Sequence, residues 1–235
     1  MKPHIPSVSP ETYDTVVGRM DNAPESSLSS PAAPGQTHTL DLAGRDLTLP
    51  IVPISPALAI SLFMIIDHPI SLLSHIAAAL ASLLRPQSPD IIVAPATLGI
   101  PLAVEVSRAL GLERYVILQK SPKIHLSDAL AVEISSITSK GSQRLLLDRA
   151  AVPLLRGRRV CVVDDVVASG GSMKGALELV RKAGGDVVGV GVVLTEGWEW
   201  KGVLRGEDAA LVQGLGHIPQ FERGKDGQWT MIGGT

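Results

Sequence analysis

Val160-Cys161-Val162-Val163-Asp164-Asp165-Val166-Val167-Ala168-Ser169-Gly170-Gly171-Ser172 is the stretch on which the reading of this chain turns. Four apolar residues run into two adjacent acids. A loop of small residues follows and opens a helix. A short apolar run of this kind suits a strand buried on both faces of a parallel sheet. Carboxylates at the end of such a strand accept hydrogen bonds from vicinal hydroxyls or face a hard cation. Residues 168–172 have little side-chain bulk, so their backbone N–H groups can close around an anion. A helix starting near Ser172 points its positive end at the same place, and Ser169 and Ser172 add hydroxyl donors. Taken singly, the acid pair reads as a solvated turn and Ser-Gly-Gly-Ser as a loop with a helix cap. The ordered combination describes a socket for a sugar phosphate, with acids for the sugar and a loop for the phosphate.

Working outward, the elements alternate. Ile70, Leu73, Ala77, Leu80 and Leu84 recur at helical spacing, with Asp67 as N-cap, Pro69 near the first turn and Arg85-Pro86 as the stop. Residues 90–95 read as a buried strand. Residues 98–110 read as a helix stopped by Gly111. Strands are expected over 115–118, 160–163 and 187–194, and a helix over 173–183 ending at Gly184-Gly185. Strand and helix in alternation give an α/β fold, a Rossmann-like parallel sheet with right-handed crossovers. Ligands bind such sheets at the carboxyl ends of the strands. Two familiar nucleotide motifs fail. No Walker A run occurs, and Gly189-Val190-Gly191 lacks the third glycine and lies inside a strand.

The chain has 235 residues, 45% of them apolar, enough for one sizeable core. Its net charge of -2 gives no general attraction to nucleic acid or to an anionic membrane, so a charged ligand needs a local site. The one cysteine, Cys161, excludes an intramolecular disulfide and a cysteine-cluster zinc site, and it fits a cytoplasmic setting. Residues 1–40 read as a disordered Pro- and Ser-rich tail, and 41–235 as one domain. The start of the chain lacks the apolar stretch of a signal peptide. The most apolar segment, 49–66, is broken by Pro50, Pro53 and Pro56 and reads as a short strand or turn followed by a buried helix, not a membrane span.

Residues 160–172 resemble the signature of the type I phosphoribosyltransferases, proteins that bind 5-phosphoribosyl 1-pyrophosphate (PRPP). The resemblance extends more weakly over 90–196. It implies a core over those residues and a variable hood from 41–66 and 195–235. It implies that Asp164 and Asp165 meet the ribose hydroxyls and that Ala168, Ser169, Gly170, Gly171 and Ser172 hold the 5-phosphate. Residues Ala96, Thr97, Leu98 and Gly99 then stand where the family has its pyrophosphate loop; on their own they read equally as a strand-to-helix turn with Thr97 as N-cap. Lys120 and Lys123 follow the second strand and take a phosphate role in this scheme, Lys120 with the acids in the catalytic group. Gln119 stands where purine-type members often carry arginine. Residues 135–144 match the family's flap, from which Lys140 and Arg144 would reach pyrophosphate; their bland reading is an exposed hairpin with solvated charges.

The flap suits the chemistry. Displacing pyrophosphate from an anomeric carbon builds an oxocarbenium-like centre that water would destroy. Magnesium is the implied ion, touching Asp164 and Asp165 directly or through water, since it bridges phosphate oxygens without a dedicated cage. His68, His75 and His125 have no partner at ligand spacing. The implied partners are PRPP and a nucleobase, in a homodimer, with no nucleic acid and no membrane. Residues 120–123 and the flap resemble the adenine and xanthine branch, which favours a purine acceptor. Trp198 offers a face for the base, although Trp198 and Trp200 read somewhat better as staples for the C-terminal segment. The expected activity is therefore transfer of phosphoribosyl to a purine with release of pyrophosphate. The alternatives are transfer to another acceptor, a PRPP sensor that catalyses nothing, and a nucleotide hydrolase, which the flap opposes. A DNA-binding regulator needs a basic face, and residues 1–40 carry only Lys2, Arg19 as cations.

Overall fold

A computed structural model describes residues 35–121, 128–134 and 143–235. In chain order the first elements are strands β1 (Thr37–Asp41), β2 (Asp46–Pro53) and β3 (Leu58–Ser61), a 3-10 turn over Ile65–Asp67, and helix α1 (Ile70–Leu84). Next come β4 (Ile91–Pro95), α2 (Gly99–Leu110), β5 (Tyr115–Leu118), and the hairpin strands β6 (Leu130–Ile134) and β7 (Gln143–Leu147). The chain then forms α3 (Val152–Leu155), β8 (Arg159–Val167), α4 (Gly171–Lys182) and β9 (Asp186–Glu196). It closes with α5 (Glu199–Leu204), α6 (Gly206–Ala210), β10 (Val212–Ile218), β11 (Gln220–Arg223) and β12 (Trp229–Met231).

Five strands make a parallel sheet in the order β10-β9-β8-β4-β5. Every residue of β4 is buried, as an apolar strand covered on both faces must be. One face packs on α3, α4, α5 and the β6–β7 hairpin, through Val160, Val162, Leu177, Val180 and Trp200. The other packs on α1 and α2, through Ile76, Leu80, Leu102, Cys161 and Val163. The pair Gly189 and Gly191 belongs to this second face. A Cβ on Gly191 would lie 2.9 Å from Leu84 Cδ1, and one on Gly189 3.1 Å from Cys161 Sγ. The glycines thus let α1 lie close on β9. Leu84, fully buried there, contributes roughly 1.5–3 kcal/mol.

The hood is a second sheet, ordered β1-β2-β3-β11-β12 and antiparallel. Its middle contact joins β3, near the start of the domain, to β11, near its end. Leu47 and Leu49 alternate with exposed Asp46, Thr48 and Pro50 along β2, the period-2 pattern of a half-buried strand.

Four expectations are corrected. The segment 49–66 holds β2, β3 and a 3-10 turn instead of a buried helix. Pro53 ends β2 and Pro56 lies in the turn before β3, while Pro50 lies within β2 at the residue where its pairing passes from β1 to β3. Asp67 belongs to the 3-10 turn and does not cap α1, whose N-cap is Pro69. The strand β1 starts at Thr37, inside the stretch read as tail. The parallel sheet does not stop at β9: β10, rich in glycine and so unlike a strand in composition, pairs along it from Val212 to Ile218. Among the described residues no helix is long and apolar enough to cross a membrane.

The start of the domain is tied to its end. The Gln36 side chain donates to Trp229 O at 3.0 Å and accepts from Trp229 N at 2.6 Å, and Ile51 N donates to Gln36 O at 2.8 Å. A chain beginning at Thr39 should therefore be less stable than one beginning at Gly35, by roughly 2–4 kcal/mol for three lost hydrogen bonds and the shortened β1. Urea unfolding of the two truncated chains measures the difference, and coincident midpoints would remove β1 from the hood.

Candidate active site

The site is set by where two strand pairings end. β4 pairs with β8 only as far as Val93 and Val162. β8 stays paired to β9 up to Val167 and Thr195. The acids Asp164 and Asp165 therefore lie within β8, not after it, at the level where β4 has turned away into residues 96–99. Both are buried, at 8% and 5% exposure. Asp164 Oδ1 accepts from Asp165 N at 3.0 Å, and Asp165 Oδ1 accepts from Val166 N at 2.8 Å. Asp165 Oδ2 is buried with no protein partner. Burial holds both carboxyls above the usual range. Repulsion from Asp165 raises Asp164 further, and the Lys120 ammonium pulls it back.

The loop after β8 wraps a pocket of about 140 Å³ lined by Asp164, Val166, Val167, Ala168, Ser169, Gly170, Ser172 and Met173. Helix α4 begins at Gly171, two residues before the expected span 173–183, with Gly170 as its N-cap. Gly170 has φ 80°, a conformation open to glycine at no steric penalty. Lys174 N donates to Gly170 O, the first bond of the helix. The pocket thus faces the positive end of α4.

Residues 96–99 follow β4 and lead to Gly99, which adjoins Asp164. Ala96 N donates to Leu118 O at 2.8 Å, which ties this loop to the end of β5. The Ala96–Thr97 peptide is cis. A Cβ on Gly99 would lie 2.9 Å from Ala94 Cβ and 3.4 Å from Asp164 Oδ1, so glycine lets the start of α2 approach the acid. Thr97 does not cap α2; the N-cap is Leu98, without a side-chain bond. Lys120 is exposed just past β5, with its charge felt at Asp164.

The hairpin β6–β7 is held to the core by Gln119, whose backbone exchanges two 2.8 Å bonds with Leu146. It rests on α4 at Gly175, where a Cβ would lie 3.3 Å from Ile134 Cγ1 and 3.4 Å from Leu145 Cδ1. Arg144 is exposed on β7. Lys123 and Lys140 lie outside the described residues.

Trp198, 41% exposed, stacks on His217 at 4.2 Å between ring centroids, and the Lys201 ammonium sits 3.8 Å from its centroid. His217 in turn bonds Thr195 through Nδ1 at 2.9 Å. The Trp198 ring is thus already engaged in fastening the β9–α5 turn to β10. Trp200 is buried in the main core. Phe63 and Phe221 are also buried, against His68 and His38.

One acid had no motif to mark it. Glu196, at the end of β9, is 6% exposed, and its carboxyl is pushed up to about 7, first by burial and then by Glu199, against a hydrogen bond from the hood residue Gln220. Its only trace in the sequence is an acid directly after an apolar strand, the same trace that Asp164 leaves.

A phosphoribosyl transferase domain matches residues 65–206, more than half of the chain, and the chain belongs to the type I phosphoribosyltransferase family. Members of this family are PRPP-dependent glycosyltransferases, and the pattern here is that of the purine branch. Xanthine phosphoribosyltransferase of Geobacillus thermodenitrificans is 29% identical over 154 residues, 65% of this chain and 78% of that protein. Orotate phosphoribosyltransferase of Caldanaerobacter subterraneus is 32% identical over 105 residues, 45% of this chain and 44% of that one. The structure of adenine phosphoribosyltransferase from Thermoanaerobacter pseudethanolicus superposes with a TM-score of 0.56 at 26% identity, covering 63% of this chain and 81% of that one.

Glu196 offers a test of the buried electrostatics. Its folded pKa lies above the ordinary value of 4.5. Between about pH 4.5 and 7 the folded state therefore binds more protons than the unfolded state, and stability falls as pH rises through that window. Glu196→Gln removes the titration. It should match the parent near pH 4 and exceed it at pH 8, by roughly 1–3 kcal/mol. Urea unfolding at the two values decides, and a difference that does not change with pH would place the carboxyl in water.

Proposed function

We propose that the protein transfers the 5-phosphoribosyl group of PRPP to a purine base and releases pyrophosphate. The carrying observation is that Asp164 lines the same pocket as Ala168, Ser169, Gly170 and Ser172 while also facing Gly99. One acid thus adjoins both loops that a sugar carrying a 5-phosphate and a pyrophosphate would need. In this reading residues 168–172 bind the 5-phosphate with backbone N–H groups and the Ser169 and Ser172 hydroxyls. Asp164 and Asp165 accept from the ribose hydroxyls, which fits an Asp165 oxygen that has no protein partner. Residues Ala96, Thr97, Leu98 and Gly99 face the leaving pyrophosphate, with Lys120 to stabilise its growing charge. Lys123, Lys140 and Arg144 are the further cations this reading calls on for pyrophosphate, and the hairpin would exclude water from the reacting carbon.

Magnesium fits this donor set. Among the described residues no three His, Cys, Asp or Glu side chains gather into a metal cage. An ion held mainly by phosphate oxygens needs only one or two carboxylates, and Asp164 and Asp165 supply them. When bound, it would neutralise phosphate charge. The purine acceptor draws on the names of the relatives, adenine and xanthine phosphoribosyltransferases. The base would lie between the sheet edge and the hood.

Pyrophosphate release with PRPP, magnesium and single bases tests the proposal. Release should depend on the base and be fastest with a purine. Asp164→Asn with Asp165→Asn should lower kcat/KM at least about 100-fold, and Lys120→Ala about 10- to 100-fold. Gly170→Ala puts a Cβ at positive φ and about 3 Å from the α5 backbone, and should weaken PRPP binding by about tenfold or more. Tight PRPP binding without release for any base would make the protein a sensor. Release with orotate or uracil alone would overturn the purine acceptor.

A further inference from the structure

We propose that Trp200 is the positioning residue of loop 168–172, holding α5 as a fixed wall against which the loop is set for the 5-phosphate. The inference rests on the reading of that loop given above. A Cβ on Gly170 would lie 3.0 Å from Trp200 Cα, 3.1 Å from its Cβ and 3.2 Å from its carbonyl oxygen. Loop backbone therefore meets helix backbone at contact distance, and the loop cannot settle further toward the core. A helix as short as α5 has little stability of its own, so something must fix it.

The indole does so. It is 4% exposed and packs in one cluster with Val167, just before the loop, and Met173, just after it. Its Nε1–H donates to Gly197 O at 3.2 Å and closes the turn between β9 and α5. Gly197 N donates to Ile218 O at 3.2 Å, which ties that turn to β10. The wall is thus anchored to the sheet through the same residue that touches the loop. Trp200 lies behind the loop and is absent from the pocket lining. Its effect on an anion comes through the direction of the loop N–H groups, and misplacement of such groups by about 1 Å weakens function by up to about 100-fold.

The test titrates ribose 5-phosphate and magnesium pyrophosphate separately into the full chain, Trp200→Phe and Trp200→Ala, by calorimetry. Trp200→Phe keeps a ring and loses the N–H donor; Trp200→Ala loses both. The Kd for ribose 5-phosphate should rise about tenfold or more in Trp200→Ala and about threefold in Trp200→Phe, with the pyrophosphate Kd unchanged within about twofold in each. A merely structural residue would move both ligands together, because loosening of the core reaches both loops. Equal weakening of the two ligands, or an unchanged ribose 5-phosphate Kd in the variants that unfold cooperatively, overturns the role of Trp200. If Trp200→Ala does not fold, Trp200→Phe decides on the same terms. If the unaltered chain fails to bind ribose 5-phosphate, the reading of the loop itself falls and the inference falls with it.

Discussion

Two adjacent carboxyls buried within β8 are the constraint to which the rest of the molecule answers. Alternation along a strand sends Asp164 and Asp165 to opposite faces. Neither is neutralised by a full ion pair among the described residues. Desolvation therefore raises both. A fold selected for stability alone would place valine at these positions, as it does at Val162 and Val163 on one side and Val166 and Val167 on the other. A carboxyl kept under such strain is a frequent mark of a site. Ligand hydroxyls and a divalent ion would relieve it.

The glycines follow from the need to bring backbone near that pair. Gly99 lets α2 start beside Asp164, Gly170 lets the loop lie on α5, and Gly175 lets the hairpin lie on α4. The first places main chain beside the acid, the second sets the loop that follows the pair, and the third seats hairpin side chains on α4. Gly189 and Gly191 serve a different end, the seating of Leu84 on β9. A glycine in this chain is thus a statement about distance. Whether that distance serves a ligand or a helix is decided by which end of the strand it occupies.

The parallel core was legible because its strands are continuous apolar runs and its helices keep a 3.6-residue period. The spans expected for residues 98–110, 115–118 and 173–183 lie within a residue or two of α2, β5 and α4. The acid pair and the small loop were legible as one unit because they are contiguous in the chain, and Asp164 and the loop do line one pocket. What escaped was set at long range. β10 reads Val-Gln-Gly-Leu-Gly-His-Ile, and only its place beside β9 makes it a strand. The hood depends on β3 meeting β11, far apart in the chain, and no local pattern announces such a pairing. Trp198 had the composition of a stacking platform, but its use depends on His217 and Lys201 arriving at its ring.

The same contrast separates donor from acceptor. The family match spans 65–206, and it contains both acids and both loops proposed to hold PRPP. The hood strands β1, β2 and β3 precede it, and β11 and β12 follow it. A phosphate is held by main-chain groups whose geometry recurs wherever the chain turns the same way, so its binding leaves a motif. A base is discriminated by a few hydrogen bonds from side chains or edges whose positions two distant strands fix together. Glu196, shared between the end of β9 and Gln220 of the hood, stands where those two parts meet. That seam is held by a hydrogen bond between two separate elements, which no local stretch of sequence announces.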